Sequence, residues 1–134
     1  MGLPLVLIVD DDPLFVRLAA HAFKGLYEVE TAGSGEEALL SVNKRCPDLI
    51  TMDHHMPGWD GLETMRRLQQ DPKLAAIPVI MCTSDTSTTL LAEAISLGAK
   101  GFITKERFTS QEFREIVADV LATGKVSGTV ASSG

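Results

Sequence analysis

The chain has 134 residues, 45% of them apolar and 22% charged, which suits one globular domain with a full hydrophobic core. Its formal net charge of −6 argues against the basic surface by which proteins usually hold nucleic acid. No apolar stretch nears the ~20 residues of a membrane span, and no basic region precedes the first apolar run as it would in a signal peptide, so a cytoplasmic protein is expected. Cys46 and Cys82 are too few for a disulfide framework and are read as reduced packing residues beside apolar strand segments.

Strand-like and helix-like segments alternate along the chain. Leu5-Val6-Leu7-Ile8-Val9 is a continuous apolar run suited to a strand buried on both faces, and it stops on Asp10-Asp11-Asp12. Residues 13–24 carry Phe15, Leu18, Ala19, Ala22 and Phe23 at helical spacing, with Asp12 as cap and Pro13 at the first position. Tyr27–Thr31 reads as a second strand, 35–44 as a helix, and 48–52 as a third strand that stops on Asp53. Residues 61–70 form a helix with Leu62, Met65 and Leu68 inward, and Pro78–Cys82 a fourth strand. Residues 87–97 form a helix stopped by Gly98, Lys100–Thr104 a fifth strand, and 110–122 a helix with Phe113, Ile116, Val117, Val120 and Leu121 on one face. Three starts read as capping boxes: Ser34 with Glu37, Asp60 with Glu63, and Thr109 with Glu112.

Five βα units imply a parallel sheet with helices on both faces. The predicted architecture is α/β, a flavodoxin-like doubly wound (βα)5 three-layer sandwich with strand order 2-1-3-4-5. Residues 1–123 are assigned to one domain. Residues 124–134, small and polar, read as a flexible tail or truncated linker.

Ligands of such a sheet bind outside the carboxyl ends of its strands. Asp10, Asp11 and Asp53 therefore converge, and holding adjacent carboxylates together usually calls for a hard divalent cation. Strand four ends at Thr83, followed by Ser84 and Asp85, and strand five ends near Lys105. Three carboxylates, a hydroxyl and an ammonium suit phosphoryl transfer, with one carboxylate as nucleophile. Plainer readings compete at several positions. Asp12 and Asp60 are read as helix caps, and Phe102 would be core in any α/β protein. His54 and His55 invite a zinc or nickel site, but the surrounding oxygen donors favour Mg²⁺. Trp59 is placed at the pocket rim.

Val9-Asp10-Asp11-Asp12, Asp53-His54-His55-Met56-Pro57-Gly58-Trp59-Asp60-Gly61, Pro78-Val79-Ile80-Met81-Cys82-Thr83 and Gly98-Ala99-Lys100-Gly101-Phe102-Ile103-Thr104-Lys105 resemble the receiver domain of two-component response regulators, of the chemotaxis-regulator kind. The resemblance covers roughly residues 4–122. It implies that Asp53 accepts a phosphoryl group from a histidine kinase or phosphotransfer protein. It implies Mg²⁺ held by Asp11 directly, by Asp10 largely through water, by Asp53 and by the backbone carbonyl of His55. Thr83 would hydrogen-bond the phosphoryl group, and Lys105 would pair with Asp53 and then with a phosphoryl oxygen. Phe102 would be the switch aromatic, and the surface of helix four, strand five and helix five would address a downstream protein or output domain. The protein would be a monomer or a phosphorylation-dependent dimer, without contact to nucleic acid or membrane, and would catalyse only its own phosphorylation and dephosphorylation. The His55 side chain, and Asp85 similarly, would tune attack of water on the acyl phosphate.

One departure stands out: receivers commonly have proline after the lysine, and here Glu106 follows Lys105. A cis bond costs several kcal/mol more before a non-proline residue, so a different path is expected for the loop after strand five. Competing readings fit less well. An aspartyl-nucleophile phosphatase usually wants a second acid where His55 stands, together with a cap domain. A flavin binder would need a Ser/Thr/Gly-rich loop where the three acids stand. A receiver that is never phosphorylated would not need all five groups. No effector sequence follows the last helix, so the chain is either a single-domain regulator or part of a longer one.

Overall fold

The computed structural model describes residues 2–125. The first apolar run is β1, Leu5–Val9, buried along its whole length. It leads into α1, Pro13–Ala22, which Asp12 caps by accepting from the Leu14 N–H while Pro13 occupies the first turn. Then follow β2, Glu28–Ala32, α2, Gly35–Lys44, β3, Leu49–Met52, and α3, Gly61–Gln69. A single helical turn, Pro72–Ala75, precedes β4, Val79–Thr83. The chain continues through α4, Thr88–Ser96, β5, Gly101–Thr104, a 3-10 turn, Lys105–Arg107, and α5, Ser110–Thr123.

All strands are parallel, in the order β2-β1-β3-β4-β5, as the sequence predicts. Alternate side chains of each strand point to opposite faces, and the core accordingly divides in two. Val6, Ile8, Leu49, Ile80, Cys82 and Ile103 meet Phe15, Phe23 and Phe113 of α1, its C-terminal cap and α5. Leu7, Val9, Ile50, Met52, Met81 and Phe102 meet Ala38, Leu62, Met65, Leu90 and Ala94 of α2, α3 and α4. Fully burying one such large side chain contributes roughly 1.5–3 kcal/mol, so this double layer fixes which strand ends lie together.

The helix starts carry the predicted caps. Ser34, Asp60 and Thr109 accept from the N–H groups of Glu37, Glu63 and Glu112 at 3.1, 2.8 and 3.1 Å. The reciprocal half of the first two boxes takes another course. Glu37 accepts from the Gly33 N–H one residue before its cap, and Glu63 turns to Arg66 and Arg67.

Several predicted details shift. Leu18 is 50% exposed because it stands about 60° from Phe15 around the helix, off the stripe of Phe15, Ala19 and Ala22 that faces the sheet. Leu121 is half-buried rather than core. Cys82 is buried, and burial pushes its thiol well up from the ordinary range. Cys46 is exposed in the turn after α2 and packs no core, which corrects its assignment. The turn at Pro72–Ala75 escapes the periodicity analysis because four residues carry no period, although Asp71 before Pro72 is the same start signal as Asp12 before Pro13. The expected tail lies, beyond Lys125, outside the described residues.

Gly61 opens α3 where the chain after β3 doubles back, and its N–H donates to the His54 carbonyl at 2.8 Å. A Cβ there would stand 2.5 Å from the Asp53 carbonyl oxygen, a contact with backbone that no rotamer relieves. Gly61→Ala is therefore expected to lower stability by about 1–3 kcal/mol, read from the urea midpoint. An unchanged midpoint would show that the loop yields without cost.

Candidate functional site

The carboxyl ends of β1, β3, β4 and β5 meet in one acidic hollow. The Asp10 N–H still donates to the Ala32 carbonyl at 3.0 Å, and the Asp53 N–H to the Val9 carbonyl at 2.9 Å. Both residues are thus anchored by sheet bonding at the backbone, and both are buried, at 3% and 6% exposure. Asp11, one residue beyond, is exposed. Oxygens from Asp10, Asp11 and Asp53 lie within 4.8 Å of one another.

One cation addresses this charge. Lys105 Nζ is 2.7 Å from Asp10 Oδ2 and 3.5 Å from Asp53 Oδ2, so the ammonium makes the expected pair with Asp53 and a closer one, not anticipated from the sequence, with Asp10. The Phe15 ring lies beneath Lys105 Nζ, 4.6 Å from its centroid, and covers the cation from the α1 side. Burial works against the Lys105 charge, but hydrogen bonding to Asp10 and the fields of Asp10 and Asp53 outweigh it and raise its pKa. Burial raises the Asp10 pKa, against the opposing Lys105 ammonium and Asp12 N–H, and the Asp53 charge adds to the rise. The Asp12 N–H donates to Asp10 Oδ1 at 2.9 Å, and the His54 N–H to Asp53 Oδ1 at 2.8 Å.

Apart from the ammonium, Asp10 Oδ2 has no hydrogen-bond partner among the described residues. An under-satisfied oxygen in an all-oxygen triad is a donor set for a hard divalent cation. Thr83, 1% exposed, closes β4 and accepts from the Asp85 N–H at 3.3 Å. Its own hydroxyl proton remains available to donate.

Around the rim, Asp12 and Asp60 are helix caps, as expected. Trp59 is half-buried with the Arg67 guanidinium 4.4 Å above its ring. His55 Nε2 and Asp85 Oδ2 are 2.8 Å apart and bridge the loops after β3 and β4. The Ser87 N–H and then His55 hold the Asp85 carboxyl down at about 2. Sequence reasoning singled out both residues without joining them; the available signal was that each stands two beyond a functional strand end. Glu106 leaves no cis peptide among the described residues. The loop after β5 is the 3-10 turn, closed by the Phe108 N–H donating to the Lys105 carbonyl at 3.2 Å. Phe108 then packs edge-on against Phe15, with centroids 5.2 Å apart.

The family model described as the response regulator receiver domain matches residues 6–118. The chain belongs to that family. It is 41% identical over 104 residues to the transcriptional activator protein ExaE of Pseudomonas putida, covering 75% of this chain and 47% of that protein. It is 32% identical over 124 residues to the phosphate regulon transcriptional regulatory protein PhoB of Rhizobium meliloti, covering 92% and 54%. The chain thus spans about half the length of these relatives. Among solved structures it resembles the Vibrio cholerae chemotaxis protein CheY4, with a TM-score of 0.83, 30% identity and coverage of 89% and 99%. It also resembles a putative response regulator of Chloroflexus aurantiacus, with a TM-score of 0.84, 33% identity and coverage of 90% and 99%. A receiver is a phospho-accepting signalling module rather than a conventional enzyme, and membership implies a histidine kinase partner. The acidic triad is typical of the receiver metal site. No helix among the described residues is long and apolar enough to cross a membrane.

Because burial raises the Asp10 pKa, its carboxylate weakens the metal-free fold. The native state binds the Asp10 proton more tightly than the unfolded chain. This contribution is present below the ordinary aspartate value of 3.8 and is lost as pH rises through the folded value. Asp10→Asn is expected to raise the melting temperature of metal-free protein at neutral pH, read by calorimetry. A lowered metal-free melting temperature would show that the Lys105 pair outweighs desolvation.

Proposed function

We propose that this chain is a phosphorylation-dependent switch in which Asp53 takes a phosphoryl group from a histidine kinase or histidine phosphotransfer protein. A carboxylate oxygen of Asp53 attacks phosphorus, the bond from phosphorus to the donor imidazole nitrogen breaks, and an acyl phosphate forms. The observation that carries this reading is the setting of Asp53. It is buried at a strand end, with one oxygen held by the His54 N–H and the other facing Lys105.

Asp10, Asp11, Asp53 and the backbone carbonyl of His55 would hold Mg²⁺. When bound, the ion would neutralise charge on the phosphoryl oxygens. Lys105, already between Asp10 and Asp53, pairs with a phosphoryl oxygen when one arrives. Thr83 donates its free hydroxyl proton to another. Those contacts exist in one state only, which is what a two-state switch requires.

Phe102 is the switch aromatic in this reading. It is buried opposite Met81 in the register of β4 and β5, on the face that carries Leu90 and Ala94 of α4. Movement of Thr83 toward the phosphoryl group is transmitted through Phe102 to the surface of α4, β5 and α5, which addresses a downstream protein or output domain. Residues 1–123 form the receiver unit, acting in the cytoplasm as a monomer or as a dimer formed on phosphorylation.

Incubation with a small phosphodonor and Mg²⁺ is expected to add about 80 Da, one phosphoryl group, by intact mass. The gain should require Mg²⁺ and vanish in Asp53→Asn. If neither the adduct nor a beryllofluoride complex forms, the chain is a constitutive binding module and the reading fails.

A further inference from the structure

Beside the acidic triad lies a second cluster of different chemistry. A ring nitrogen from each of His54 and His55 and a carboxylate oxygen of Asp85 lie within 4.8 Å of one another. The two imidazole rings are 4.6 Å apart between centroids and inclined at 57°. The His54 and Asp85 side chains are mostly covered, at 12% and 25% exposure, whereas His55 is 67% exposed. Nδ1 of His54 is buried without a hydrogen-bond partner among the described residues, and Nε2 of the same ring is 4.0 Å from Asp60 Oδ2. A mostly covered imidazole thus has a buried, unsatisfied nitrogen and stands beside a second imidazole and a carboxylate.

We propose that His54, His55 and Asp85 form a second metal site, selective for a borderline divalent ion such as Zn²⁺ and separate from the oxygen-lined Mg²⁺ triad. Two imidazoles and a carboxylate with an open fourth position are a familiar zinc donor set, whereas Mg²⁺ prefers oxygen alone. Bonds of about 2.0–2.1 Å in a tetrahedron put ligand atoms about 3.4 Å apart. His55 Nε2 and Asp85 Oδ2, at 2.8 Å, need open only slightly, and the exposed His55 side chain has room to swing. Asp85 is held in place meanwhile, since its Oδ1 accepts from the Ser87 N–H at 2.9 Å.

The site joins two loops. His55 stands two residues after Asp53 and Asp85 two residues after Thr83, so a bound ion ties the loop after β3 to the loop after β4 at the mouth of the acidic hollow. The proposal does not depend on phosphorylation of Asp53, and it can hold if that reading fails.

The test is a Co²⁺ titration of the full chain with Mg²⁺ at saturation, followed by visible absorption. Four-coordinate Co²⁺ with nitrogen ligands absorbs far more strongly than six-coordinate Co²⁺ among oxygens. One strongly absorbing ion per chain is expected, displaced by Zn²⁺. Its affinity should fall by about 100-fold or more in His55→Ala and in Asp85→Asn, and persist in Asp11→Asn. As a second readout, Zn²⁺ should raise the melting temperature of the wild type but not of His55→Ala, whose exposed side chain makes no core contact. A weakly absorbing species lost in Asp11→Asn and kept in His55→Ala would place the ion in the acidic triad and overturn the proposal. Absence of Co²⁺ binding at millimolar concentration would also overturn it.

Discussion

A single ammonium set between buried carboxylates is the interaction on which this site turns. Asp10 and Asp53 are anchored by backbone hydrogen bonds at the ends of adjacent strands, β1 and β3, which keeps their side chains in the same hollow. Lys105 lies 2.7 Å from one and 3.5 Å from the other. With Asp11 nearby, three carboxylates face one cation. The residual repulsion among them is what a further positive charge would relieve. The two distances are unequal: Asp10 carries most of the pairing, which leaves Asp53 Oδ2 the less encumbered of the two oxygens.

The surrounding fold holds this unfavourable arrangement in place. Two hydrophobic layers clamp the strands from opposite sides, and the loops beyond the strands are pinned by short local bonds. Asp12 and Asp60 cap α1 and α3, and Ser87 caps α4. Gly61 lets the chain after β3 turn back within contact of the Asp53 carbonyl. Phe15 joins the two functions, since its ring packs in the α1 layer and also covers the Lys105 ammonium. The 3-10 turn after Lys105 seats Phe108 on that same ring.

Much of the fold was legible because each element carried agreeing local signals. β1 was marked by an unbroken apolar run and α1 by Asp12 and Pro13. The end of α4 was marked by Gly98, whose φ of 95° suits glycine. The misreadings arose where the local signal did not fix a direction. Leu18 has the right residue type for a core but stands beside the packed stripe. Cys46 neighbours a strand in sequence but sits in a turn, open to solvent. The turn at Pro72–Ala75 is too short to generate a period.

The sequence by itself determined the alternation of elements, the family, and the candidate residues Asp10, Asp11, Asp53, Thr83 and Lys105, because strand ends and caps are written in contiguous residues. Only the tertiary structure decided which of those residues touch. That Lys105 pairs chiefly with Asp10, that Phe15 lies under its ammonium, and that His55 meets Asp85 across two loops all depend on strand order and register. These are contacts between residues 30 to 95 positions apart. Their geometry is set by the packing of the whole sheet, to which no local stretch of sequence has access.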